Sequence, residues 1–227
     1  MISVPVQYNY DEKLAGIDGS SRDLTNIQPV VPFTLNDDWS IVSRTILPIV
    51  NIDSGHGQSI NGNADILQSV FFSPDDPYHG WLYGFGAVLS LPVASEPELG
   101  SEKWSLGPTA VVLKQEHGWT YGMLVNQLLD VAGDDDRESV NETFLQPFAG
   151  YTWHTATSLF LNSESIIDWE NDTQSVPVNL MLSQVVPIAG QIFSFQVGAR
   201  YWADSAPADP EGTGFRFNVT WVFLKDK

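Results

Sequence analysis

Apolar and polar residues alternate along most of this chain with a period of two. Near the C-terminus Phe215, Phe217, Val219, Trp221 and Phe223 alternate with Arg216, Asn218, Thr220 and Val222. Phe193, Phe195, Val197, Ala199 and Tyr201 alternate with Ser194, Gln196, Gly198 and Arg200, and Ile2, Val4, Val6, Tyr8 and Tyr10 begin the chain the same way. In the run Trp81, Tyr83, Phe85, Ala87, Leu89, Leu91 and Val93, the intervening face is Leu82, Gly84, Gly86, Val88 and Ser90. A strand turns successive side chains to opposite faces, so each run reads as a strand with two unlike faces. Runs of nine or ten residues are long enough for a tilted strand to cross a bilayer.

Carried over the whole chain, the pattern predicts strands at 2–10, 26–35, 39–52, 64–73, 80–93, 103–114, 118–130, 142–153, 158–169, 175–186, 191–202 and 213–224. Their connections alternate in length. Short turns fall at 36–38, 74–79, 115–118, 154–157 and 187–190. Longer loops fall at 11–25, 53–63, 94–102, 131–141 and 203–212, with 170–174 the shortest of that set. An even strand count with this alternation predicts an all-β fold, an antiparallel transmembrane β-barrel of about twelve strands. Short periplasmic turns, longer outer loops and periplasmic termini follow, with 1–227 forming one domain.

The aromatic residues supply an independent check on that topology. Trp39, Trp81, Tyr83, Trp119, Tyr121, Tyr151, Trp153 and Trp221 fall at periplasmic strand ends. Tyr8, Tyr10, Trp104, Trp169, Tyr201 and Phe215 fall at outer ends, and Val, Leu, Ile and Ala fill the middles. Two aromatic girdles around an aliphatic band suit rings that sit at headgroup level. The competing architecture, a soluble sandwich or jelly roll, places tryptophan in mid-strand core positions instead. Pro29, Pro32, Pro48, Pro108, Pro147 and Pro177 lie inside predicted strands. A closed barrel has no edge to hold them, so they are expected at bulges or strand ends.

Composition agrees. Charged residues make up 17% and aromatics 12%, yet the mean hydropathy is −0.08. One greasy and one wet face per strand average to such a value. The net charge of −18 argues against a nucleic-acid partner, which needs clustered Lys and Arg. The acids gather in predicted loops, at Asp11–Glu12, Asp75–Asp76, Glu96–Glu98, Asp134–Asp136 and Asp204–Glu211. Without cysteine there are no disulfides, thiolate metal sites or cysteine nucleophiles. No run of eighteen apolar residues exists, so a transmembrane helix is excluded. The expected location is the bacterial outer membrane, with lipid as a partner and a signal peptide removed ahead of Met1.

The segments NIQPVVPFTLNDDWSIVSRTILPIV (26–50), FFSP (71–74), GSEKWSLGPTAVVLKQ (100–115) and LVNQLLDVAGDDDRESVNETFLQPFAGY (124–151) are distinctive together. They resemble a family of bacterial outer-membrane transporters grouped with the phenol-degradation meta-pathway barrel proteins. The resemblance covers most of the chain and implies an outer-membrane barrel passing small, hydrophobic or aromatic compounds. One departure is the tail Leu224–Lys227 after Phe223, since such barrels usually end on an aromatic residue.

No G-x-S-x-G, H-E-x-x-H or phosphate loop is present. All four histidines, His56, His79, His117 and His154, fall in predicted loops or turns. Only His56, beside Ser54 and Ser59 in an outer loop, offers the materials for a hydrolase, and no catalytic residue is assigned. Gly133–Asp136 lacks the ordered spacing of a calcium loop, so no metal or other cofactor is implied. The strand register places Arg44, Asp65, Asn126, Gln146, Glu164, Asp168, Asn179, Gln196, Arg200, Arg216 and Asn218 in the lumen. Arg44 and Asp65, on neighbouring strands, are candidates to pair. Arg200 and Arg216 are neighbours and need an anion, a carboxylate or water between them. The expected function is a channel for small solutes with a narrow, mixed-charge lining. The alternatives are a structural or adhesion barrel acting through acidic loops, and a lipid-modifying enzyme using His56.

Overall fold

A computed structural model describes residues 1–223; the tail at 224–227, including the end of the last predicted strand, lies outside the described residues. Among the described residues sixteen strand segments form one sheet. They are β1 (Ile2–Glu12), β2 (Ser21–Ile27), β3 (Val30–Thr34), β4 (Trp39–Asp53), β5 (Ser59–Asn63), β6 (Ile66–Pro74), β7 (Trp81–Leu91) and β8 (Lys103–Glu116). The rest are β9 (Trp119–Gly133), β10 (Asn141–Thr152), β11 (Thr157–Ser163), β12 (Ser165–Asp168), β13 (Thr173–Ser175), β14 (Pro177–Ile188), β15 (Gln191–Trp202) and β16 (Gly212–Phe223). Four pairs, β2/β3, β5/β6, β11/β12 and β13/β14, are single passes with a one- or two-residue interruption, which leaves twelve antiparallel passes. β1 pairs with β16 from Ile2↔Phe223 to Asp11↔Gly214, so the sheet closes and no edge remains.

The pattern of the sequence explains the two surfaces. Phe85, Leu106, Leu161, Leu180, Val197 and Phe217 are exposed on the outer wall. Asn9, Ser69, Val88, Thr109, Asn179 and Arg216 are buried inside. At one end of the outer wall the rings touch in a girdle: Trp81 on Tyr121 (5.7 Å), Trp119 on Tyr151 (5.2 Å) and Phe193 on Trp221 (5.8 Å). At the other end Phe215 lies against Tyr8 (5.6 Å) and Tyr10 (5.8 Å). Of the predicted interface residues, Trp81, Tyr83, Trp104, Trp119, Trp153, Trp169, Tyr201 and Trp221 are exposed, whereas Trp39 and Tyr121 are half-buried.

Tight turns close the end predicted to face the periplasm. His79–Gly80, His117–Gly118 and Ala189–Gly190 each have positive φ at both residues, as a two-residue type I′ hairpin requires. His79 and His117 are therefore the first residues of these hairpin turns. The outer connections are longer, and 92–102 carries a short 3-10 turn, Pro97–Leu99.

Two predicted outer loops are shorter than expected. The 11–25 loop contracts to 13–20 because Ser21–Ile27 pairs with both β1 and β4. The 53–63 loop contracts to 54–58 because Ser59–Asn63 pairs with β4. These strand ends, 21–25 and 59–63, are mostly polar, with Leu24 and Ile60 their single apolar residues, so they carry too little alternation to read.

Four of the six prolines predicted inside strands lie at the interruptions. Pro29 falls in the gap between β2 and β3, opposite Pro5, whose carbonyl accepts from the Gln28 N–H at 2.8 Å. Pro48 faces the gap between β5 and β6, where its carbonyl accepts from Ala64 at 3.1 Å. The gap at Glu164 lies between Pro147 of β10 and Pro177 of β14, and the Glu164 N–H donates to the Pro177 carbonyl at 3.2 Å. A residue without an N–H sits where the ladder is already broken. Pro32 and Pro108 sit within β3 and β8, away from these gaps.

Candidate functional site: the barrel lumen

One side of the lumen is filled by a ladder of charged groups. Glu164, at the interruption between β11 and β12, leaves the wall and receives Arg216 of β16 through Nη1 (2.8 Å) and Nη2 (2.6 Å). Two strands, β14 and β15, separate them in the sheet. The pair is therefore a chord across the barrel rather than a contact between neighbours. Arg216 also donates through Nε to the Asn9 Oδ1 (2.6 Å), which accepts from Arg200 Nη1 as well (3.2 Å). Arg200 faces the Asp11 carboxylate at 3.3 Å and Glu164 at 3.9 Å. Asp11 further accepts from the Trp202 indole (2.9 Å) and pairs with Arg22 (3.4 Å), which reaches Asp209 at 3.2 Å. The Arg200 and Arg22 guanidinium carbons lie 4.6 and 5.5 Å from the Trp202 ring centre. Three guanidinium groups thus meet three carboxylates. Such a set is tolerated in a low-dielectric interior because each charge has an opposite neighbour.

The remaining predicted lining residues distribute around this ladder. Gln146 donates to Glu164 at 3.4 Å. Asn179, fully buried, donates to Asn162 at 2.8 Å. Gln196 and Asn218 are register partners on β15 and β16, and Asn218 donates to Thr220 at 3.3 Å. Asn126 accepts from the Thr109 hydroxyl. Asp168 caps the turn after β12, accepting from the Glu170 and Asn171 N–H groups at 2.9 and 3.2 Å.

Arg44 and Asp65 do not pair. Arg44 donates to the Gln28 side chain at 2.7 Å. Asp65 is in the gap between β5 and β6 and is taken up by the 92–102 loop, accepting from the Ala94 N–H (3.1 Å), the Ser101 N–H (2.7 Å) and the Ser101 hydroxyl (2.9 Å). Free backbone N–H groups satisfy this carboxylate before a guanidinium one strand away does. From the neighbouring 134–140 loop, Arg137 donates to the Pro97 and Gly100 carbonyls (2.8 and 2.6 Å) and pairs with Glu102 (3.2 Å).

Opposite the ladder the side chains leave a space. A cavity of about 260 Å³ is lined by Arg44, Asn126 and Glu142 together with apolar Leu67, Leu128 and Phe144. Glu142 also lines a second space of about 450 Å³ at the outer mouth, with Asp136, Arg137, Glu138 and Asp168. It is thus common to both. Sequence reading missed Glu142, Asn9, Asp11 and Arg22. Glu142 has the same strand parity as Gln146, so the inward register was the available signal. Asp11 was read as a loop acid.

No family model matches this chain, and no curated protein matches it. Among solved structures, an outer-membrane channel from Pseudomonas putida F1 superposes with a TM-score of 0.71 at 13% identity, over 97% of this chain and 93% of that one. This chain has the fold of an outer-membrane β-barrel. The NanC porin superposes with a TM-score of 0.60 at 11% identity, covering 98% of this chain and 100% of that one. Outer membrane phospholipase A from Escherichia coli gives 0.58 at 11%, covering 98% and 90%. The barrel implied by the resemblance of the strand segments is the barrel observed. The same architecture serves channels and a hydrolase, so function rests on the site.

Proposed function

We propose that this barrel is an outer-membrane channel for small solutes, which pass beside the ion ladder rather than through the full width of the lumen. The observation that carries this reading is the cavity opposite the ladder, which shares Glu142 with the outer vestibule. Side chains suffice to fill a barrel of eight strands, whereas twelve passes enclose a wider bore, part of which is left here as this cavity. The resemblance to a channel and a porin supports the reading at the level of fold. The lining residues proposed are Arg44, Asn126, Gln146, Glu164, Asp168, Asn179, Gln196, Arg200, Arg216 and Asn218, with Glu142 added. Asp65 acts on the outer loop instead. The mixture of apolar and charged lining favours small solutes with an apolar part.

The hydrolase alternative requires a base within reach of a nucleophile. At His56 the contact is between its backbone N–H and the Ser54 hydroxyl, at 3.4 Å, in an exposed turn. That is turn geometry rather than a nucleophile–base pair.

Single-channel recording of the refolded protein in a planar bilayer tests the proposal. Discrete conductance steps are expected, and they grow in Arg216→Ala, where the chord across the lumen is removed. Protein that inserts with its native heat-modifiable mobility but never conducts overturns the channel reading and leaves a structural barrel.

A further inference from the structure

Among the described residues Glu142 is the one inward acid of this path with neither a hydrogen-bond donor nor a counter-ion. Glu164 and Asp11 are bound by arginines, Asp65 by backbone N–H groups, and Asp168 by its turn. Among the described residues the Glu142 carboxylate has neither an ion-pair nor a hydrogen-bond partner, although it is half-buried inside the barrel. Its register partners are Leu128 and Asp168. Its charge faces the chamber and is left for a group from outside the chain to balance.

The surroundings define that group. The vestibule above Glu142 presents Asp136, Glu138 and Asp168. Among the described residues its one basic side chain, Arg137, is occupied by two loop carbonyls and by Glu102. An anion entering from outside therefore meets uncompensated negative charge, whereas a cation is drawn in. Below Glu142 the walls are apolar, from Ile46, Leu67, Leu128, Phe144 and Ile166. Arg44 is the cation sharing this chamber, and it is held by the neutral Gln28.

Resting on the channel reading, we propose that Glu142 and this chamber select a small organic cation: an ammonium head group carried on a compact apolar body. The head group pairs with Glu142 while the body lies against Leu67, Leu128 and Phe144. Chamber volume limits the body to roughly the size of one aromatic ring.

The test is the reversal potential of the full chain in planar bilayers, across gradients of phenyltrimethylammonium chloride and of potassium benzenesulfonate. These two solutes carry the same ring with opposite permanent charge. Phenyltrimethylammonium is expected to permeate ahead of chloride, and benzenesulfonate to lag behind potassium. In Glu142→Gln the phenyltrimethylammonium preference falls by about threefold, the scale of one partly solvated ion pair. Asp76→Asn, which removes a charge from an exposed periplasmic turn, keeps it. Conductance in potassium chloride without discrimination between the two ring solutes overturns this inference and leaves the channel standing. So does faster passage of a matched zwitterion, which would engage Arg44 as well. Inserted protein that passes no current at all overturns the channel reading, and this inference falls with it.

Discussion

Arg216 and Glu164 meet through two hydrogen bonds of 2.8 and 2.6 Å although β14 and β15 lie between their strands. The guanidinium is 1% exposed, so neither partner can be lost without leaving a buried charge. Glu164→Gln is expected to destabilise the barrel by ~3–5 kcal/mol, because Arg216 keeps its charge and loses its main counter-ion. The double replacement Glu164→Gln with Arg216→Met should be milder than Glu164→Gln alone. Urea-induced unfolding in detergent micelles, followed by tryptophan fluorescence, reads both. Equal destabilisation by the single and the double variant would show that the pair is dispensable and that packing dominates.

The outer loops offer a second measurable contact. Asp65 and Arg137 hold the 92–102 loop from opposite sides. Asp65→Asn should weaken this hold, and Arg137→Ala should remove the link to the 134–140 loop. Limited proteolysis of folded protein is expected to cut within 92–102 faster in both variants, with the barrel core intact. An unchanged cleavage rate would mean that Leu99, buried against β5, suffices to pin the loop.

Depth along the outer wall should govern the cost of a charge. Leu161 lies midway along its pass and faces outward. Leu161→Arg is expected to cost ~2–4 kcal/mol in lipid. Thr155→Arg, in the turn at the end of the same pass, should cost less than ~1 kcal/mol. Equilibrium folding into lipid vesicles separates the two. Similar costs at both positions would argue against a bilayer-matched apolar belt.

Close backbone approach makes another sharp expectation. A Cβ at Gly86 would lie 1.8 Å from the Val70 carbonyl oxygen of the adjoining strand. Gly86→Ala must push β6 and β7 apart and should cost about 3 kcal/mol. At Gly57 nothing lies within 4 Å, and the only obstacle is its φ of +81°. There Gly57→Ala should cost about 1 kcal/mol. A reversal of that order, measured by the same unfolding assay, would rule out the steric account.

The barrel is legible in the sequence because lipid and lumen impose opposite demands on alternate residues. Phe215, Phe217 and Trp221 against Arg216 and Asn218 state both faces in one strand. Where that contrast ends, legibility ends too: Ser21–Thr25 and Ser59–Asn63 are mostly polar, so their pairing leaves too little periodic trace to read. Inward placement of Arg200, Arg216 and Glu164 follows from parity alone, but their meeting does not. It depends on Glu164 leaving the wall at an interruption, a departure in three dimensions that strand parity cannot express. Arg44 and Asp65 show the converse, since proximity in register suggested a pair and the 92–102 loop took the carboxylate instead.

The prolines beside the interruptions bear on how the ring closes. Sliding β4 or β10 by two residues would keep every outward side chain outward, so the apolar pattern alone does not forbid it. Such a slip would carry Pro48 or Pro147 away from its gap and set an imino nitrogen against a carbonyl that needs a donor. The shear of the barrel, and with it the tilt of the strands and the bore they enclose, is thereby fixed by residues whose backbone donates no hydrogen bond.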